Sequence, residues 1–257
     1  VLFSDIVGFT TIAESMEPAK LVHLLNDYLT SMTNVIFEHK GLLDKYEGDA
    51  IMAVFGAPVE LPEAPELACM AALDMQKQLT VLRDYWKKTG RPPIEMRIGI
   101  NSGDMIVGNM GSERRFDYTA VGDAVNLASR LEGANTLWSS KIIIGEQTFD
   151  KVQKQFITRP LDLLRVKGKT KPIRVYELIA AGDAQLPDEV KEMILSYKRG
   201  FKEYLLRNWE EGIRHFQTAQ KLVNTDGPTR LYLDRCQEFK ETPPPKDWDG
   251  VYSMKVK

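Results

Sequence analysis

The sequence lacks the features that would mark out a special class of protein. Its two cysteines, Cys69 and Cys236, lie in different halves of the 257 residues and outside any CxxC or cysteine–histidine cluster. That excludes a disulfide-stapled fold and a thiolate metal site, and it leads to an expected cytoplasmic location. The three histidines, His23, His39 and His215, share no ligand spacing and read as packing or surface residues. Neither sign of charge is in excess, since 34 Lys and Arg against 36 Asp and Glu leave a formal net charge of -2. Without a basic field, nucleic acid is not an expected partner. The longest apolar runs, around Ala50 to Val54 and Ile142 to Ile144, fall far short of the ~20 residues that a membrane helix needs. The chain opens on Val1-Leu2-Phe3 without Met, so it reads as a piece of something longer, whose upstream region could anchor it to a membrane.

What is present is ordinary globular material: 43% apolar and 27% charged residues, in a length that buries a sizeable core. Val1 to Phe3 starts a buried strand. From Pro18 to Lys40, Leu21, Leu24, Leu25, Tyr28, Met32, Val35 and Ile36 recur at helical spacing. Residues 41–56 read as a hairpin turning at Glu47-Gly48, and a second helix runs from Pro62 to Lys88. Strands follow at Met96 to Asn101, Met105 to Gly108 and Phe116 to Val121, then a helix from Asp123 to about Gly133, a short strand and helix, and a closing hairpin. The expected fold class is α+β, a ferredoxin-like or palm-type sheet rich in antiparallel pairs with helices packed on it.

Residues 180–188 form a linker by composition. Three helices are expected beyond it, at Asp188 to Leu206, Trp209 to Val223 and Thr229 to Phe239, with Gly200, Gly212, Phe216 and Ala219 at the spacings of one tetratricopeptide-like repeat. A single unit cannot bury its own face, so Tyr197, Phe201, Phe216 and Leu222 should be covered by residues 1–179 or by a second subunit. Pro243-Pro244-Pro245 introduces an extended tail over residues 241–257.

Two segments carry an Asp at a strand edge, Phe3-Ser4-Asp5-Ile6-Val7-Gly8-Phe9-Thr10 and Lys45-Tyr46-Glu47-Gly48-Asp49. Carboxylates on neighbouring strands suit hard divalent cations, and the turn at Gly8 offers backbone N–H groups to a phosphate. Taken singly, Asp5 reads equally well as a helix cap and Asp49 as a turn residue.

With Met96 to Gly103 and the run Tyr118-Thr119-Ala120-Val121-Gly122-Asp123-Ala124-Val125-Asn126-Leu127-Ala128-Ser129-Arg130-Leu131-Glu132, these segments resemble the class III nucleotidyl cyclase catalytic domain, in order over residues 1–179. The resemblance is to bacterial adenylyl cyclases. It implies Asp5, the Ile6 carbonyl and Asp49 as ligands of two divalent ions, Mg²⁺ or Mn²⁺, with Gly8, Phe9 and Thr10 beside the phosphates. It also implies Arg97 and Lys167 on the triphosphate, Lys45 and Thr119 on the base, Asn126 on the ribose, and Arg130 at the transition state. The implied substrate is ATP and the implied product cyclic AMP, at sites shared across a homodimer. Guanylyl members carry Glu and a Cys-like residue where this chain has Lys45 and Thr119. A guanylyl cyclase, or a silent nucleotide-binding domain of the same shape, are the rival readings.

The residues themselves add to this. Asn126 and Arg130 stand at i, i+4 and project from one side of their helix, offset from Val125, Ala128 and Leu131. Arg97 alternates with Ile98, Gly99 and Ile100, so an inward charge there needs a partner, which a triphosphate would supply. If Glu47-Gly48 is the turn, Tyr46 and Asp49 pair on one face while Lys45 points to the other. One hairpin then serves two sites, which is natural for a two-fold dimer.

Overall fold

A computed structural model describes residues 1–164 and 172–251. In chain order the elements are β1 (Leu2–Ile6), α1 (Phe9–Ser15), α2 (Pro18–Glu38), β2 (Leu42–Glu47), β3 (Ala50–Val54), α3 (Ala64–Lys88), β4 (Met96–Ile100), β5 (Ile106–Ser112), β6 (Arg115–Val121) and α4 (Asp123–Trp138). Then come β7 (Ile142–Gly145), α5 (Glu146–Val152), β8 (Phe156–Leu164), β9 (Ile173–Ala181), α6 (Asp188–Leu205), α7 (Trp209–Leu222) and α8 (Gly227–Glu241).

Seven strands form one sheet in the order β2-β3-β1-β4-β7-β9-β8, antiparallel except where β4 meets β7. The expected antiparallel-rich α+β class is what the chain adopts. Strands β5 and β6 stand apart as a two-stranded ribbon.

Alternation along the strands sorts side chains onto two faces. Leu2 and Ile6 of β1, Ile98 and Ile100 of β4, and Ile142 and Ile144 of β7 meet Leu24, Tyr28 and Met32 of α2 and Cys69, Met75 and Trp86 of α3 in the largest core. The opposite face receives α4. There Val125 and Ala128 pack with Met52, Val54 and Phe3, while Leu127, Leu131 and Trp138 pack with Ile143, Leu161 and Val175. Helix α4 lies close against β4 because residue 99 is glycine. A Cβ there would stand 2.2 Å from the Glu132 nitrogen and 2.3 Å from the Ala128 carbonyl oxygen.

The α6–α8 segment caps the β8 end of this second face. Tyr197, Tyr204, Phe216 and Tyr232 are fully buried in the cluster that holds Leu131, Leu161 and Val175, and Phe201 and Leu222 are partly buried. Arg207 donates to the carbonyls of Pro244, Pro245 and Lys246, and Trp248 packs on Tyr204, Trp209 and Phe239. The proline-led stretch as far as Val251 is thus irregular and docked.

Three local expectations change. Helix α1 enters the sequence reading only through Asp5 as an alternative cap, because seven residues give no periodic signal, and the structure starts it later, after Gly8. Helix α4 continues past Gly133 to Trp138, since the packing of Asn135 and Trp138 outweighs the helix penalty of a glycine. The β2–β3 turn is Gly48-Asp49, with Glu47 paired to Ala50 and Tyr46 to Ile51. Gly48 takes φ 70°, which glycine adopts without strain, and this sets the turn one residue later than expected.

Candidate active site

The register sets the centre of the site. Asp5 on β1 lies directly opposite Arg97 on β4, and the Arg97 guanidinium approaches the Asp5 carboxylate to 3.7 Å. Both belong to the face that carries α4. Arg97 does have a partner, as an inward charge must, but the protein supplies it. Its Nε lies 3.2 Å from the Glu132 carboxylate without hydrogen-bond geometry, and its Nη1 donates to the Thr136 hydroxyl.

Asp49 reaches the same place from the β2–β3 turn. The Ile6 backbone N–H donates to Asp5 Oδ1 at 3.0 Å and to Asp49 Oδ2 at 3.2 Å, which draws the two carboxylates together. Of the two single-residue alternatives, Asp49 is indeed a turn residue, while the cap position of α1 is Gly8 rather than Asp5.

Electrostatically the centre is short of positive charge. Burial, followed by the hydrogen bond and charge of Asp5, pushes the Asp49 carboxyl up to about 6, against the pull of the Ile6 N–H. Burial likewise pushes Glu132 up to about 7, with Asp5 and Asp49 adding to it and Arg97 opposing it. Oxygen donors crowded in this way fit hard divalent cations, which would relieve the repulsion. Asp5 and Asp49 bring carboxylate oxygens there, and Ile6, whose N–H joins them, is the last residue of β1. Among the described residues, no group of three His, Cys, Asp or Glu side chains could hold a metal. Further ligands would have to come from the substrate and water.

Gly8, Phe9 and Thr10 lie at the β1–α1 junction, three to five residues after Asp5. Phe9 packs partly into the main core, and Thr10 is exposed.

A second cluster forms on the other side of the β2–β3 hairpin. Tyr46 hydrogen-bonds Thr33 of α2 at 2.8 Å, whereas Lys45, paired with Met52, is directed towards β6. There Asp44, whose side chain is 1% exposed, accepts from the Thr119 hydroxyl at 2.5 Å and lies 3.3 Å from the Lys45 ammonium. Lys45 and Thr119, 74 positions apart in sequence, are thereby brought to one carboxylate. Asp44 was missed in the sequence. The only hint was its adjacency to Lys45, and nothing in the pattern announced the register shift between Leu43 and Lys45 that seats it.

Asn126 and Arg130 occupy the exposed side of α4. Glu132 and Thr136 of the same helix turn towards Arg97, and about 200° of helix separates Arg130 from Glu132. Within one chain, Arg130 is therefore directed away from the Asp5–Asp49 centre, and Asn126 lies exposed about 40° of helix from Arg130. Lys167 lies outside the described residues.

The model of the adenylate and guanylate cyclase catalytic domain matches residues 1–180. The chain belongs to that family. An adenylate cyclase of Anabaena cylindrica is 40% identical over 187 residues, 70% of this chain and 36% of its own length. The terminal-differentiation-specific adenylate cyclase of Dictyostelium discoideum is 35% identical over 242 residues, which are 92% of this chain but 11% of that protein. The chain thus spans a minor part of both relatives. Among solved structures, the adenylyl cyclase CyaB from P. aeruginosa superposes with a TM-score of 0.66 at 36% identity, covering 72% of this chain and 93% of that one. The guanylyl cyclase Cya2 gives a TM-score of 0.64 at 33% identity over 71% and 91%. Fold similarity alone does not separate the two nucleotides, so the site must. Among the described residues, no helix is long and apolar enough to cross a membrane.

Proposed function

We propose that this cyclase domain is an adenylyl cyclase, converting ATP to 3′,5′-cyclic AMP and pyrophosphate at sites shared between two copies of the chain. The observation that carries the choice of base is the meeting of Lys45 and Thr119 at Asp44. Adenine presents an acceptor at N1 and a donor at its 6-amino group, so an ammonium donor and a hydroxyl acceptor suit it. Guanine presents the reverse polarity, and buried polar groups that cannot pair discriminate strongly.

Two divalent cations held by Asp5, Asp49 and the Ile6 carbonyl would supply charge neutralisation at the triphosphate and acidify the ribose 3′-hydroxyl. Lys45 and Thr119 fix the base. Asn126 orients the ribose so that its 3′-oxygen lies in line with the α-phosphorus, and Arg130 compensates the charge that develops as the bond to pyrophosphate breaks. Arg97, already pivoted between Asp5 and Glu132, turns to the triphosphate, with Lys167 as a second cation for it.

The shared site is supported by α4, whose two faces cannot serve one centre, and by the apolar surface left open around it. Ile106 and Val121, paired on one face of the β5–β6 ribbon, are 73% and 53% exposed, and Phe116 on its other face is 63% exposed, apolar side chains that a second copy would cover. In the domain division that goes with this reading, residues 1–179 form the catalytic unit and residues 189–240 a tetratricopeptide-like unit docked on it. Base reading is tested by Lys45→Glu with Thr119→Cys, which should move the preference from ATP towards GTP. An unchanged ATP preference would remove the argument.

A further inference from the structure

The β2 strand carries a bulge at Asp44, where the register slips between Leu43 and Lys45. Consecutive strand residues ordinarily point to opposite faces, and a bulge re-aims one of them. Here the result is that the Asp44 carboxylate and the Lys45 ammonium end 3.3 Å apart. Oδ2 accepts two hydrogen bonds, from the Thr119 hydroxyl at 2.5 Å and from the Ala120 backbone N–H at 3.2 Å. The backbone N–H can only donate, so it fixes Oδ2 as an acceptor, and Thr119 must give its one proton to that oxygen. Oδ1 is enclosed with no hydrogen bond and faces only the ammonium.

We propose that Asp44 is the positioning residue that sets the hydrogen-bond polarity of the base-reading pair, consuming the Thr119 proton so that only lone pairs face the base and tethering Lys45 as the adjacent donor. This rests on the adenine reading above and deepens it. A threonine hydroxyl left to rotate could donate to a 6-oxo group as readily as it accepts from a 6-amino group. With its proton spent on Asp44 it can only accept, so the 6-oxo purines meet two lone-pair surfaces and a donor opposite a donor. Discrimination then comes from the carboxylate behind the readers rather than from the readers alone.

The test compares kcat/KM for ATP, GTP and purine riboside triphosphate, which keeps the N1 acceptor but lacks the 6-amino group, in the wild-type chain and in Asp44→Ala. Alanine at this position accepts no hydrogen bond, so it frees the Thr119 hydroxyl proton. The ATP:GTP and ATP:purine riboside ratios should each fall about tenfold, the scale of one hydrogen bond turned from paired to mispaired. A fall of less than threefold in either ratio overturns the proposal, because a merely structural role for Asp44 would slow every nucleotide alike. If Asp44→Ala does not fold, the wild-type chain still decides: purine riboside triphosphate turned over within threefold of ATP would mean that Thr119 accepts nothing from the 6-amino group. Equilibrium binding of 3′-deoxy-ATP and 3′-deoxy-GTP, which cannot cyclise, reads the same ratio without turnover. Failure of the adenylyl reading itself would show separately, as a wild-type chain with no preference for ATP.

Discussion

Arg159 should be the most costly single residue to remove from the junction between the sheet and the α6–α8 helices. Its side chain is 3% exposed and donates at 2.6 Å to Glu177 on β9, and at 2.6 and 2.8 Å to the two oxygens of Asp226, which caps α8 through the Thr229 N–H. Its guanidinium also lies 4.7 Å from the Tyr197 ring centre. Arg159→Met keeps much of the volume and leaves two enclosed carboxylates facing each other without a cation. Breaking a buried pair from one side costs about 3–5 kcal/mol, a large part of a typical stability of roughly 5–15 kcal/mol. Converting all three to neutral residues, with Glu177→Gln and Asp226→Asn, should recover most of that loss, because the penalty lies in the orphaned charges. Urea unfolding is the assay. Trp138, Trp209 and Trp248 sit in the junction cluster and Trp86 in the main core, so fluorescence and circular dichroism together also report whether the parts unfold as one unit. A loss below about 1 kcal/mol in Arg159→Met, or a triple variant no better than the single, would refute the reasoning.

The same cluster makes acid a specific stress. Burial opposes the charge of Asp226, but the hydrogen bonds and charge of Arg159 outweigh it and hold the carboxyl below the usual range. Its stabilisation is therefore complete above the unfolded value of about 4 and drains away as pH falls through and below it; Asp226→Asn should flatten that part of the stability curve. Deleting residues 183–257 uncovers Leu131, Leu161 and Val175, so the truncated chain should be markedly less stable, and equal thermal midpoints would show that the helices are an independent module. Asp5→Ala and Arg130→Ala should each be inactive alone. After subunit exchange at equal concentrations, half of the dimers are mixed and each has one intact site of two, so about a quarter of wild-type activity should return; no recovery would mean that the groups act within one chain.

The parts of this molecule that were legible in the sequence are those where periodicity and turn chemistry agree with packing. Helix α2 could be read because Leu24, Tyr28, Met32 and Ile36 keep helical spacing and all face the core. The β2–β3 hairpin was legible, but its register was not, since Glu47-Gly48-Asp49 admits a turn at either pair and only the positive φ of Gly48 chooses. The cyclase motif segments pointed to Asp5, Asp49, Lys45, Thr119 and Arg97. What those segments could not give was the company these residues keep. The pairing of Arg97 with Glu132 depends on how closely α4 crosses Gly99, and the enclosure of Asp44 depends on a bulge. Both are tertiary facts that leave no local pattern. The amphipathic faces of α6 and α7 required a covering surface, and β8, β9 and α4 provide it.

The central claim is that Lys45 and Thr119 make this catalytic domain an adenylyl cyclase. The direct measurement is to incubate the purified chain with equal ATP and GTP in the presence of Mg²⁺ or Mn²⁺ and to identify the products by mass. The account predicts cyclic AMP and pyrophosphate with little or no cyclic GMP, whereas cyclic GMP in equal or greater amount, or neither cyclic nucleotide from the dimeric chain, would contradict it.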